Sequence, residues 1–393
     1  MPFLLSYQNV FDYLIPLGLC TEEERAASNI ELKPAKNFNL LLSLLEGKQL
    51  LVKQERHNRE GKTAGEFVQE WRIHKFLNNH PELDYLRPSL SEAVHFDADN
   101  SIIIFNYLSN YRDVADFYTK ENLFPTQVAT QIGTILALIH RVSTQNPEYR
   151  DFFVDSQDDA QTQETEQLNH RIGRLTPEIF GSVPSDGLRF FALYQRYDSL
   201  GQAIADLGSA FTPYCLTHND MKLNNILIAL NWQDVDSSNE SMIRLIDWER
   251  CSWGDPANDL GSLISSYLQL WLYSVVVGKG MAIEESLRLA TIPLQSLRPS
   301  LAALVKAYLV EFPEILEHRP DFLQRVVQFA GLGLIQSIQA TLQHEKTFGN
   351  QGISMLQVAK SLLCRPQESI PTIFGMDATD LTPAKYSPAT RNH

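Results

Sequence analysis

The chain has 393 residues, room for two or three domains or lobes and a sizeable buried core. Hydrophobic residues make up 44% and charged residues 20%, which excludes a disordered, collagen-like or coiled-coil chain. With 33 Lys and Arg against 47 Asp and Glu the formal charge is −14, so a phosphate backbone is repelled and nucleic acid is not expected as a partner.

Cys20, Cys215, Cys251 and Cys364 are scattered, without the paired spacing of a zinc site or a redox motif, and fit a reducing cytoplasm. The N-terminus lacks a basic n-region, and Asp12 interrupts its apolar run, so no export signal is expected. The one stretch of membrane length, from Leu260 to Gly278, carries Ser262, Ser265, Ser266, Gln269 and Ser274. It predicts a buried core helix rather than a membrane span.

In chain order, residues 1–27 predict a helical extension, with Thr21-Glu22-Glu23-Glu24 as cap and acidic first turn. Apolar segments at 30–35, 38–45 and 49–55 predict strands, the last two joined by a turn at Glu46-Gly47. Phe67, Trp71, Phe76 and Leu77 have helical spacing within 64–78, and segments 93–99 and 101–108 predict a hairpin turning near Asp99-Asn100. The result is a small, mostly antiparallel sheet with one inserted helix.

Beyond Ser109 the pattern turns helical. Residues 125–143 place Val128, Ile132, Ile135, Leu136 and Ile139 on one face, and the segments after 258 are similar, with short strands expected around 214–230 and 242–248. Residues 151–170 hold six acids and no Lys or Arg. The tail from about Pro366, punctuated by Pro371, Pro383 and Pro388, is predicted to be loosely packed. The expected division is an N-terminal extension (1–27), a small lobe (28–108), a large lobe (109–365) and a loose tail (366–393).

The densest chemical signal is LTHNDMKLNNILI (216–228), with His218, Asp220 and Asn225 in the order His-x-Asp-x-x-x-x-Asn. A second acid, Asp247, ends an apolar strand in RLIDWERCSWGDPANDLG (244–261). Phosphoryl transfer from ATP needs a carboxylate near the acceptor hydroxyl and oxygen ligands for magnesium on the phosphates, and Asp220, Asn225 and Asp247 supply that set. Gly61-Lys62-Thr63 imitates the end of a P-loop, but the position of the first glycine is Arg56 and no strand leads into it, so it is read as an exposed loop.

His-Asn-Asp with Asn five positions after the Asp, then Leu-Ile-Asp-Trp-Glu, then Gly-Asp-Pro-x-x-Asp-Leu-Gly, resembles the aminoglycoside phosphotransferase and choline kinase family over most of residues 30–275. Gly133 and Leu136 to His140 resemble the helix that precedes that family's catalytic loop. The resemblance implies an α+β, two-lobed, protein-kinase-like fold. It implies ATP and Mg²⁺ as cofactors, a small-molecule acceptor, and neither nucleic acid nor membrane as partner. Asp220 would orient or deprotonate the acceptor hydroxyl and His218 would brace the loop; Lys222 departs from many small-molecule kinases, is the residue protein kinases carry there, and would neutralise charge on the transferring phosphoryl group. Asn225 and Asp247 would bind Mg²⁺, and Asp259 would accept hydrogen bonds from the loop backbone. Lys53 would reach the ATP phosphates, with Glu70 as its ion-pair partner and Glu66 as the alternative. Residues 105–108, with Phe105 and Tyr107, would form the adenine-reading hinge. The loop between the first two strands, Pro34-Ala35-Lys36-Asn37-Phe38-Asn39, has no glycine, so Lys36 or Asn39 would approach the phosphates in place of backbone.

Only twelve positions separate Asp247 from Asp259, which leaves no room for a peptide-docking segment and favours a small-molecule acceptor. The acidic charge, the 151–170 insertion with Asp155, Asp158 and Asp159, and the aromatic Trp248, Trp253, Tyr267 and Trp271 suit a cationic acceptor such as an amino alcohol or aminoglycoside, with sugars and homoserine-like acceptors open. The competing class is a non-catalytic relative that keeps the fold as a binding or scaffolding module.

Overall fold

The computed structural model describes residues 3–144, 146–154, 185–234, 241–275, 285 and 288–386. The strands among the described residues are β1 (Asn29–Leu32), β2 (Phe38–Ser43), β3 (Gln49–Gln54), β4 (Ala93–Asp97), β5 (Ile102–Asn106), β6 (Tyr111–Asp113), β7 (Cys215–Thr217), β8 (Ile226–Ala229), β9 (Ile243–Leu245) and β10 (Ser252–Gly254). Two compact units result, Met1–Asp113 with Asn225–Cys251, and Val114–Asn224 with Ser252–His393. The boundary thus falls five residues beyond the expected 108/109. The smaller unit also takes in 225–251, because β8 and β9 pair with β6 in a three-stranded antiparallel sheet of order β6-β8-β9.

The first unit is built on an antiparallel sheet of order β1-β2-β3-β5-β4. Side chains alternate between faces along a strand, and β3 uses both. Leu50 and Val52 join Leu40, Leu42, Ile102 and Ile104 in a core completed by Leu5, Val10, Phe11 and Leu14. On the opposite face Leu51 packs with Ile103, Phe105, Phe67 and Trp71. Lys53 follows Leu51 on this second face, opposite Asn39 of β2 and Ile103 of β5.

The N-terminal segment is therefore part of this core rather than a separate extension. It forms two short helices, α1 (Val10–Leu14) and α2 (Glu22–Ala27), the second opened by a capping box in which Thr21 and Glu24 bond each other's backbone amides. Gln54 pins it to the sheet, accepting from the Leu5 amide at 2.8 Å and donating to the Phe3 carbonyl at 2.7 Å. The helix α3 (Glu66–Asn79) begins after Gly65, whose φ of 79° is cheap only for glycine. Its first amides are held by the buried Glu55 carboxylate, which accepts from Gly65 N at 2.9 Å and Phe67 N at 2.6 Å.

The second unit is mainly helical. The helix Thr126–Ser143 packs closely on Leu294–Glu311, and a Cβ at Gly133 would collide with the Leu304 carbonyl. The helix Pro256–Tyr273 starts at an Asp255 N-cap with Pro256 in its first turn, and packs on Phe322–His344. It is the apolar stretch noted in the sequence, and no helix of the described residues is long and apolar enough to cross a membrane. The segment Pro366–Tyr386 is not loose, and residues 387–393 of the expected tail lie outside the described residues. It forms helices Pro366–Phe374 and Ala378–Leu381, burying Ile370, Ile373, Phe374 and Leu381, because Pro366 occupies a first-turn position where its missing amide costs nothing. Of the acid-rich insertion, residues 155–170 lie outside the described residues, Asp155, Asp158 and Asp159 included.

Candidate active site

In the second unit the catalytic-loop residues follow β7, which pairs antiparallel with β10. His218 and Asp259 are fully buried. Asp259 accepts from the His218 amide at 2.6 Å and from the Asn219 amide at 2.8 Å. It also lies 3.2 Å from His140 Nε2, whose other ring nitrogen is 2.8 Å from the Tyr308 hydroxyl. The His218 ring in turn accepts from the Asp220 amide at 3.3 Å. His140 is thus a buried brace, not a substrate contact. This web holds Asn219 in a left-handed conformation, φ 63°, immediately before Asp220, the kind of local strain that persists only when its surroundings fix it.

The Asp220 carboxylate is a quarter exposed and pairs with Lys222 Nζ at 2.7 Å. Ser266 of the Pro256–Tyr273 helix accepts from the Leu223 amide at 3.1 Å and fixes the chain just beyond them.

The first unit holds the other expected residues. Lys53 Nζ lies 3.4 Å from Asp247 Oδ1 and 5.2 Å from the centre of the Phe105 ring. Burial opposes the charge on Lys53, but the carboxylates of Asp247 and then Glu70 outweigh it and hold the ammonium above the usual lysine range. The bonded partner of Lys53 is therefore Asp247. Glu70 is almost fully buried; its Oε1 accepts from Ser91 at 3.2 Å, while its Oε2 has no hydrogen-bond partner among the described residues. Burial, assisted by the Asp247 charge, pushes Glu70 up to about 8. Glu66, the alternative partner, is paired with Lys36 of the glycine-free loop. Asn39, in register with Lys53, is buried with its Oδ1 unpartnered.

Asn225 and Asp247 stand at the same end of the β8–β9 hairpin. Ile226 faces Leu245, and one residue further out the Ile246 amide donates to the Asn225 carbonyl at 3.0 Å. Asp247 itself has φ 69°. A hard divalent cation takes oxygen donors, usually one or two protein carboxylates plus waters and phosphate oxygens. One carboxylate and one carboxamide meet that demand, and no three His, Cys, Asp or Glu among the described residues form a group that would hold a metal. Burial first and the Asp247 charge next push Glu249 up to about 7.

In the hinge segment, the Asn106 amide donates to Glu92 O and the Tyr107 amide to Gln49 O, both at 2.9 Å. Phe105 is buried and Tyr107 is exposed. The aromatic residues expected to face a cation are largely core. Trp248 is fully buried with its indole N–H on Leu245 O at 3.2 Å, and Tyr267 is fully buried with its hydroxyl 2.8 Å from that of Tyr118. Sequence reasoning missed Ser91, Tyr308 and Ser266, each a single polar residue bonded to a partner far away in the chain. Only the structure can reveal such pairs.

Residues 37–278 match the family model described as "Phosphotransferase enzyme family". A 4-hydroxytryptamine kinase of Psilocybe cyanescens is 23% identical over 201 residues, 50% of this chain and 52% of the relative, so the chain spans about half that relative's length. An ethanolamine kinase of Plasmodium vivax shares the fold, with a TM-score of 0.54 at 13% identity over 90% of this chain and 89% of that one. With the two-lobed α+β architecture and a family match over most of its length, this chain belongs to the phosphotransferase enzyme family.

Proposed function

We propose that the protein is an ATP-dependent kinase that transfers the γ-phosphoryl group to a hydroxyl of a small molecule. The observation that carries this reading is the braced loop, in which Asp259 fixes the His218 and Asn219 amides and so presents Asp220, paired with Lys222, to solvent. Asp220 accepts a hydrogen bond from the acceptor hydroxyl, orients its oxygen toward the γ-phosphorus and takes the proton as the new P–O bond forms and the bond from the γ-phosphorus to the β–γ bridging oxygen breaks, ADP leaving with that electron pair. Lys222 would offset negative charge on the phosphoryl oxygens.

Asn225 and Asp247 would hold Mg²⁺, which supplies charge neutralisation on the nucleotide phosphates when bound. Lys53, 3.4 Å from Asp247, serves the same phosphates, and its approach to ATP releases it from that carboxylate. Asn39 lies beside it, and the hinge 105–108, with Phe105 and Tyr107, reads adenine. For the acceptor, the −14 charge and the 4-hydroxytryptamine named for the relative support a hydroxylated amine over an anion. The four free cysteines support a reducing compartment such as the cytoplasm.

The test is thermal denaturation with ATP, with and without Mg²⁺. The wild-type chain gains stability from Mg·ATP by mass action, and Asp247→Ala loses that gain while its unliganded melting point holds. Equal stabilisation of both proteins by Mg·ATP contradicts the assignment.

A further inference from the structure

Leu90, Ser91 and Glu92 link a 3-10 turn, Pro81–Ser89, to β4 and carry no motif. Each is bonded to a different part of the nucleotide machinery. Leu90 forms a parallel bridge with Leu245, and its carbonyl accepts from Arg244 Nη1 at 3.1 Å; both partners lie on β9, which leads into Asp247. Ser91 Oγ donates to Glu70 and lies 3.4 Å from His74 Nε2, so it holds α3 at the acid facing Lys53. The Glu92 carbonyl accepts the Asn106 amide of the hinge at 2.9 Å, and its carboxylate takes Asn106 Nδ2 at 3.3 Å and Arg244 at 2.7 Å.

We propose that Leu90–Glu92, anchored by Arg244, is the positioning element that fixes Glu70, the Asp247 strand and the hinge relative to one another for nucleotide binding; this rests on the kinase reading above. Three elements distant in sequence converge on three consecutive residues, so a shift at any one is passed to the other two. Arg244 is buried, with its guanidinium 5.2 Å from the centre of the Tyr111 ring, while the Glu92 side chain is 37% exposed, so solvent screens the pair from one side only. One guanidinium nitrogen, Nη1, reaches both the Leu90 carbonyl and the Glu92 carboxylate, and it stands one atom further from the backbone than a lysine ammonium extends. Partners of this kind, one step removed from metal or substrate, typically change affinity by 10- to 100-fold when lost.

The experiment titrates Mg·ATP into wild type, Ser91→Ala, Glu92→Gln, Arg244→Lys and the Glu92→Gln/Arg244→Lys double variant. It follows the melting point and, separately, the KM values. The expected result is a rise of about 10-fold in the ATP concentration for half-maximal stabilisation in each single variant, a parallel rise in KM for ATP, and an unchanged KM for the acceptor. The double variant falls short of the sum of its parents, because both changes break the shared Arg244–Glu92 pair. Should Arg244→Lys fail to fold, Ser91→Ala and Glu92→Gln decide the matter. Lowered melting points with unaltered Mg·ATP dependence in those two overturn the positioning role and leave only a structural one. A wild-type chain that Mg·ATP does not stabilise overturns the kinase reading and this inference with it; a stabilised wild type whose variants titrate identically overturns the inference alone.

Discussion

Asp259 and Glu70 are both buried carboxylates, and their surroundings treat them in opposite ways. Asp259, in the second unit, has backbone amides on both oxygens and an imidazole on one. Glu70, in the first unit, has a serine on one oxygen and, among the described residues, nothing on the other, beside the negative charges of Asp247 and Glu249. A buried charge with complete hydrogen bonding stiffens its surroundings, whereas a half-satisfied one carries a desolvation cost until a ligand or proton arrives. The loop before Asp220 is thus organised in advance, while around Glu70 the carboxylates of Glu66, Asp247 and Glu249 outnumber Lys36 and Lys53.

The strongest way to sharpen this contrast is at Asp220. On a loop already in place, Asp220→Asn lowers kcat by about 10²- to 10⁴-fold and leaves Mg·ATP stabilisation intact, as kinetics and thermal titration together will show. A parallel loss of nucleotide binding would mean that the two halves do not act separately. Next in size is Lys53→Met, which keeps the stem but removes the charge. It raises KM for ATP by roughly 10-fold or more, while the acceptor KM and the fold hold, the loss expected for a charge-assisted phosphate contact.

At Asp259 the expected effect is on stability. Asp259→Asn keeps the shape but supplies no carboxylate to the His218 and Asn219 amides, at a cost of about 2 kcal/mol, the range for hydrogen bonds to a charged group. Denaturant unfolding measures it, and an unchanged midpoint would show that the brace is dispensable.

The contrast also carries a pH dependence, spread over several pH units. Glu70 stands at about 8 in the folded chain against an ordinary 4.5, so across that window the fold retains a proton that the unfolded chain has released. Stability therefore falls as pH rises from about 4.5 to 8, by at most about 1.4 kcal/mol per pH unit. His74 works the other way. Burial, with Arg87 nearby, lowers it from 6.5 to about 4, so its contribution rises with pH across that interval. The two slopes oppose each other up to 6.5, and above it that of Glu70 remains alone. Glu70→Gln is accordingly more stable than wild type at pH 8, with the gap closing as pH falls. Parallel stability curves for the two proteins would remove the strained-carboxylate account.

What the sequence disclosed and what it hid divide along physical lines. His218, Asp220 and Asn225 lie within eight residues, and Asp247 directly follows an apolar run, so their order alone carried the chemistry. Lys53 was found by the resemblance of Leu-Val-Lys at the end of an expected strand, and only the structure shows the alternating burial that sets its face. The brace at Asp259 was legible as an expectation, but its second layer, His140 with Tyr308, joins residues 168 positions apart. Trp248 and Tyr267 look alike as ligand contacts or as core until their burial is known, and they are core. Proline-rich composition misled at Pro366, since a proline in the first turn of a helix reads the same in sequence as one in a loop.

The most direct measurement is mass spectrometry of a panel of hydroxylated amines, sugars and amino acids incubated with Mg·ATP and either wild type or Asp220→Asn. The account predicts that wild type converts at least one hydroxylated amine to a product heavier by one phosphoryl group, with matching ADP, and that Asp220→Asn forms that product at least about 100-fold more slowly. Phosphorylated product formed equally fast by both proteins, or no transfer to any acceptor by a wild-type chain that binds Mg·ATP, would contradict it.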